Sequence, residues 1–372
     1  MTGATRTSLP TTLCVAVLST ATAEGSTRRD ACRNSWLSLV SPGDRDMMKA
    51  FFFLGKPVQD KPASQQHTER EQLPATNRLV VNKDEQSQTE SVVDGLSRND
   101  PIRLPLEQER RQHGDIVELH MDDVYANLTL KLIQAIQYLA ANENCQFILK
   151  ADDDTFARVD LILAELASMT LDRWLYWGYF TGRAAVYHKG RWAESDWFLC
   201  DRYLPYARGG GYVFSGGLAA FIAGHAHLWQ RYFSEDVSFG VWTAGLLLKR
   251  VHDPRFDTEY SSRGCLNSYL VTHKQTSDEM LRKIDRLRKT GRLCASEAET
   301  RPAYRYNWQL PPTQCCDQPN DPTASQLRRP RRRSRQQQQQ QQQEQERKQQ
   351  PQQQEQQRPR KQQPQQQEQQ RP

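Results

Sequence analysis

The segment that most constrains this chain is Phe147-Ile148-Leu149-Lys150-Ala151-Asp152-Asp153-Asp154-Thr155, a short apolar run closing on three consecutive carboxylates. Such a run reads as a buried strand that delivers oxygen ligands to a pocket at the carboxyl edge of a sheet. Three adjacent aspartates repel one another, so the pattern calls for a compensating cation. A divalent ion shared with a phosphorylated substrate is the natural one. On extended backbone Asp152 and Asp154 project to one side and Asp153 to the other, so the three cannot share one role. If the strand ends in a turn there, Asp154 can bind metal through its carboxylate while Asp152 holds ribose or base groups. Oxygen-rich ligation suits Mn2+ or Mg2+, and a histidine ligand would favour Mn2+. A calcium site or a solvated acidic loop is the plainer alternative.

The rest of the chain alternates strands and helices, which points to an α/β fold with a mostly parallel sheet covered on both faces. Leu13 to Leu18 is the first buried strand, and it is too short to cross a membrane. A helix over Arg28 to Leu37 and a strand over Phe51 to Leu54 follow. After a polar stretch come a helix from Leu106 to Gln112, a strand from Asp115 to Leu119, and a helix capped by Asp122 or Asp123. That last helix carries Tyr125, Leu128, Leu132, Ile136 and Leu139 at helical spacing. Further strands are expected over Gln146 to Lys150, Leu175 to Tyr179, Tyr212 to Ser215 and Tyr269 to Val271. Helices are expected over Asp160 to Met169, Gly217 to Tyr232, Glu235 to Leu247 and Ser277 to Thr290.

Composition sets the outer limits. From Gln336 onward the chain is almost wholly Gln, Pro, Arg, Glu and Lys, preceded by the basic run Arg328 to Arg335. A tail of this kind, 321–372, has no apolar residues to offset ordering entropy and is expected to be disordered. The polar stretch 55–105 reads as a disordered insertion in one domain spanning 1–320. The net charge of +6 comes partly from the tail, and it carries no case for nucleic acid. None of the 8 cysteines forms a zinc-type CxxC pair. Cys14 reads as a small buried hydrophobe. Cys200, Cys265, Cys294 and the Cys315-Cys316 pair are the better disulfide candidates.

Other residues carry possible chemistry. Glu235-Asp236 opens a helix, where the carboxylates are either dipole-favoured caps or, for one of them, a base that takes a hydroxyl proton. His273, just after a strand, is a metal ligand, a base or an ordinary surface histidine. Gly209-Gly210-Gly211 before a strand lets backbone approach a ligand closely, or is a plain flexible turn. Among the crowded central aromatics, Trp192 is the exposed candidate for packing against sugar C–H groups. Asn127-Leu128-Thr129 is a glycosylation acceptor triplet off the apolar stripe of its helix.

Together these motifs resemble the β-1,3-galactosyltransferase family. The carrying segments include Ala31 to Leu37, Phe147 to Arg158, Gly209 to Ser215, Ser234 to Ser238, His252 to Tyr260, Arg263-Gly264-Cys265 and Tyr269 to Gln275. The resemblance implies a GT-A glycosyltransferase fold and an inverting hexosyl transfer from UDP-galactose with Mn2+. It implies that Asp152, Asp153 and Asp154 form the metal and nucleotide motif, with Asp154 a direct ligand and His273 the second. It also implies that Asp236 is the catalytic base. Read from the residues themselves, Glu235, Gly210, Gly211 and Trp192 are the acceptor or pocket candidates. The implied acceptor is the galactose-xylose-serine linker of proteoglycan core proteins, and the implied setting is the Golgi lumen, as a type II membrane protein. The anchor is not visible in this sequence. A related UDP-N-acetylglucosamine-dependent β-1,3-transferase and a non-catalytic scaffold are the rival expectations.

Overall fold

A computed structural model describes residues 11–40, 46–57, 103–190 and 192–316. The tail and nearly all of the polar insertion expected from the sequence lie outside the described residues. The described residues fall within one compact unit, Met1–Asp317. In chain order the first half comprises β1 (Thr11–Leu18), α1 (Ala23–Asn34), β2 (Met48–Lys56), α2 (Arg103–His113), β3 (Ile116–Asp122), α3 (Leu128–Asn142), β4 (Cys145–Asp152), β5 (Phe156–Ala157) and α4 (Val159–Ser168). The second half comprises β6 (Leu175–Gly178), β7 (Phe180–Thr181), β8 (Tyr206–Ala207), β9 (Gly211–Ser215), α5 (Gly216–Gly224), α6 (Glu235–Thr243), β10 (Lys249–His252), β11 (Phe256–Asp257), β12 (Gly264–Cys265), β13 (Val271–Thr272), α7 (Ser277–Thr290) and β14 (Ala298–Glu299).

Seven strands form the main sheet, in the order β10-β6-β9-β4-β1-β2-β3. Neighbours are parallel except around β9, which runs antiparallel to both β4 and β6. The expected α/β sheet is therefore present. β1 lies inside the sheet, between β4 and β2, where its two apolar faces are both covered. Leu13, Val15 and Val17 join one core, and Cys14, Ala16 and Leu18 join the other. The register that pairs Leu18 with Asp152 brings the carboxyl ends of β1 and β4 to the same edge. β9 enters from that edge, with Gly211 opposite Ala151, so the preceding glycines lie beside the aspartates. A second, three-stranded sheet, β11-β13-β5, carries the residues after β13 to the same place.

Several boundaries differ from expectation for identifiable reasons. α1 begins five residues early because the Thr22 side chain accepts from Gly25 N at 3.0 Å. Neither Asp122 nor Asp123 caps α3. Asp123 accepts instead from Gly55 N at 3.1 Å and pairs with the buried Lys131, while a 3-10 turn over Tyr125–Asn127 precedes the helix. α5 stops at Gly224, short of Tyr232, and a separate 3-10 turn, Ala226–Leu228, follows. α6 stops at Thr243 rather than Leu247, and the Arg250 guanidinium takes the freed carbonyls of Thr243, Ala244 and Leu246. α7 has the expected bounds. It starts with a Thr276–Glu279 capping box and ends at Gly291 with φ 69°.

The cysteines require a correction. Cys14 is fully buried yet bonded to Cys145, tying the starts of β1 and β4 together. Burial alone cannot separate a core thiol from a bridge between neighbouring strands. Cys265 pairs with Cys294 and Cys315 with Cys316, whereas Cys200 is free and exposed and Cys32 free and buried. Among the described residues no helix is long and apolar enough to cross a membrane.

Candidate active site

The site begins with Lys150, which alternation places on a buried face of β4 among apolar neighbours. A fully buried ammonium must be paired. Its Nζ donates to Asp152 Oδ1 at 2.7 Å, to Glu235 Oε1 at 2.6 Å and to the Gly209 carbonyl at 2.6 Å. Burial alone would lower the lysine's pKa, but the charges of Asp152 and Glu235 outweigh it and hold the pKa above its ordinary value. One side chain thus joins the end of β4, the glycine run before β9 and the start of α6. In the sequence Lys150 carries a single signal, that of a lone lysine inside an apolar strand.

The aspartates then divide as alternation requires. Asp153 turns toward β1 and α1, accepting from Ser19 Oγ at 2.8 Å and Arg28 Nη1 at 3.0 Å. Burial keeps its carboxyl above the usual range despite those two partners. Asp152 and Asp154 face the other way, toward His273. His273 Nε2 lies 3.0 Å from Asp154 Oδ1 and 3.3 Å from Asp152 Oδ2. Burial works against the imidazolium, but the two carboxylates prevail and raise His273 to about 9. Burial would likewise push the Asp152 carboxyl up, and the Lys150 charge, aided by His273, instead holds it well below the usual range.

A divalent cation suits this group. One ligating atom from each of Asp152, Asp154 and His273 lies within 4.8 Å of the others. Asp154 Oδ1 is buried and receives no aligned hydrogen bond, the nearby imidazole nitrogen being in contact but not in hydrogen-bond geometry. Two oxygens and one nitrogen form a ligand set that accepts Mn2+ or Mg2+.

Gly209 and Gly210 pack the site closely. A Cβ on Gly210 would stand 2.5 Å from His273 Cγ, so only glycine lets the imidazole lie against this backbone. The glycine run therefore makes room first for the protein's own side chains. Gly211 begins β9 opposite Ala151. Gly209 N donates to Asp236 Oδ2 at 2.9 Å, while Asp236 Oδ1 accepts from Val237 N at 2.8 Å. Asp236 is thus more than a cap for α6. Its carboxyl is pushed up to about 7, by burial first and then by the neighbouring Glu235 charge, with Arg208 and Lys150 opposing. Some of its surface stays open to solvent.

The aromatic candidate is less exposed than expected. Trp192 is half-buried because its indole nitrogen donates to Tyr125 Oη at 2.9 Å and its ring meets Tyr187 and Tyr260. Of these rings Tyr260 is the most exposed, ahead of Tyr187 and Tyr125. Asn127 is half-buried on its turn, Nδ2 donating to the Asp122 carbonyl at 3.1 Å, and Thr129 of the same triplet is buried against Tyr232 O at 2.7 Å. Two cavities lie elsewhere, one between α1 and α7 and one beside Trp174.

A carboxylate–histidine cluster able to hold a cation at the end of a central strand, with the Asp236 carboxyl nearby, fits a metal-assisted α/β enzyme. The galactosyltransferase family model matches residues 92–254. β-1,3-Galactosyltransferase 6 of Mus musculus is 49% identical over 58% of this chain and 67% of that protein. UDP-GalNAc:β-1,3-N-acetylgalactosaminyltransferase 2 of Xenopus tropicalis is 31% identical over 52% of this chain and 39% of the relative. Hydroxyproline O-galactosyltransferase GALT6 of Arabidopsis thaliana is 33% identical over 51% of this chain and 29% of the relative. Among solved structures, 4-diphosphocytidyl-2C-methyl-D-erythritol synthase of Anaerococcus prevotii is 12% identical over 74% of this chain and 96% of that one, with a TM-score of 0.35, too slight a likeness to bear on fold or function. The chain belongs to the galactosyltransferase family, and it is a metal-assisted glycosyltransferase.

Proposed function

We propose that the chain transfers galactose from UDP-galactose, forming a β-1,3 bond to the galactose of a galactose-xylose-serine linker on proteoglycan core proteins. The supporting observation is the convergence of Asp152, Asp154 and His273 within 4.8 Å, joined through the Gly209–Gly210 backbone to Asp236. The identity with mouse β-1,3-galactosyltransferase 6 supports the choice of sugar and linkage. Asp154 and His273 would hold Mn2+, with Asp152 beside them and Asp153 bracing the turn through Ser19 and Arg28. When bound, that cation would draw charge from the departing nucleotide diphosphate.

The chain's own groups do the rest. Asp236 takes the proton from the acceptor hydroxyl as its oxygen attacks the anomeric carbon. The bond from that carbon to the UDP oxygen breaks on the opposite face, so the configuration inverts. A carboxylate near pH 7 in proton affinity is matched to this step at neutral pH. Lys150 holds the Asp152 carboxyl well below the usual range and pairs with Glu235, so both side chains stay fixed beside Asp236. Trp192 and Tyr260 offer ring faces for acceptor sugars. The same reading puts the enzyme in the Golgi lumen as a type II membrane protein, with Asn127 glycosylated.

A panel of UDP-sugars tested against a galactosyl-xyloside, before and after chelation and with Mn2+ restored, tests the proposal. Galactose transfer alone, lost on chelation and regained with Mn2+, is expected. Preferred transfer of N-acetylglucosamine would refute the donor assignment, and no transfer from any donor would favour a scaffold.

A further inference from the structure

Lys274 is the single non-glycine residue with positive φ, 60°, among the described residues. A residue with a Cβ disfavours this conformation, so surrounding contacts must impose it. They are visible on both sides. His273 N donates to Asp257 O at 3.1 Å, and Gln275 N donates to Asp154 O at 2.7 Å. Gln275 Nε2 closes the turn on His273 O at 2.8 Å. The chain reverses between these anchors, and the reversal carries Lys274 back over the carboxylate cluster.

The position of its ammonium differs from that of the other cations nearby. Lys150 is buried and engaged by three oxygens, and Arg28 is held by Asp153 and Glu24. Lys274 Nζ is 3.8 Å from Asp154 Oδ2, a long contact, and its side chain is 50% exposed. Across from it stands the Tyr260 ring, 73% exposed, with its centroid 6.0 Å from Nζ. The ammonium is thus confined between an aromatic face and the Asp154 carboxylate while remaining open to solvent. Once Asp154 is committed to a divalent ion, its negative charge no longer satisfies Lys274.

We infer that Lys274 is a donor-binding residue that pairs with the diphosphate of the nucleotide sugar and, through its enforced backbone turn, sets the donor's position beside the metal. This rests on the donor site proposed above. The test is calorimetric titration of UDP and of uridine, with Mn2+ present, into the full chain and into Lys274→Asn and Lys274→Arg. Asparagine tolerates the left-handed conformation, so the neutral variant keeps the fold. Loss of one charge-assisted contact should weaken UDP binding by about tenfold in Lys274→Asn. Lys274→Arg should stay within about threefold of wild type, and uridine binding should not change in either. Mn2+ affinity without nucleotide should be undiminished, and the melting temperature unmoved. Equal UDP affinity in wild type and Lys274→Asn would overturn the inference, as would an arginine variant as weak as the asparagine one, or weakened binding of Mn2+ alone. A wild-type chain that binds Mn2+ but not UDP would overturn the donor-site reading itself.

Discussion

Replacing Asp236 by Asn tests the proton-accepting role through two independent measurements. The asparagine oxygen can still accept from Gly209 N, giving up only the Val237 N contact, so the glycine run stays in place while the basic group is lost. General-base catalysis contributes about 10²- to 10⁴-fold, so turnover should fall by that factor with little change in UDP affinity. The wild-type rate should rise through about pH 7 as Asp236 ionises, and the variant's residual rate should lack that limb. Stability provides the second measurement. Because the folded-state value lies above the unfolded one, the native protein holds a proton that the unfolded chain releases between about pH 4 and pH 7. The resulting stabilisation is complete below the unfolded value and is lost as pH rises through about 7. The loss amounts to no more than about 4 kcal/mol, less to the extent that solvent reaches the carboxylate. Asp236→Asn carries no such charge, so its melting temperature should match wild type near pH 4 and exceed it near pH 8. A wild-type rate flat across pH 7, or a variant with normal turnover, would refute the assignment. Equal melting temperatures at pH 8 would refute the electrostatic reasoning behind it.

Three further perturbations address the surrounding cluster. Asp154→Ala should abolish Mn2+ binding and transfer while the circular dichroism spectrum stays native; retained metal-dependent transfer would remove Asp154 from the ligand set. Gly210→Ala places a methyl group where the His273 ring stands, so it should weaken Mn2+ binding, read by titration, more than it shifts the urea midpoint. Lys150→Met leaves Asp152 and Glu235 without their shared counter-charge and should lower unfolding free energy by about 3 to 5 kcal/mol in urea, whereas a loss under 1 kcal/mol would show the pair to be solvated.

What the sequence revealed, and what it hid, follows from the range of the interactions. The two-sided apolar pattern of β1 and the cap signals of α7 are local, and both elements were legible. Alternation along the aspartate run also sufficed to separate Asp153 from Asp152 and Asp154. The end of α6 was not legible, because it is set by Arg250 returning from the next strand. The Cys14–Cys145 bridge joins positions 131 residues apart, and nothing in the neighbourhood of Cys14 distinguishes it from a core thiol. Lys150 is the instructive case. Read locally it is a misplaced charge in a buried strand, and local rules are most often broken at functional sites. Its three oxygen partners come from 2, 59 and 85 residues away, so only the folded sheet could identify them. That ammonium holds Asp152 and Glu235 in fixed relation, and it helps explain why a cluster of like charges persists at the edge of an apolar core.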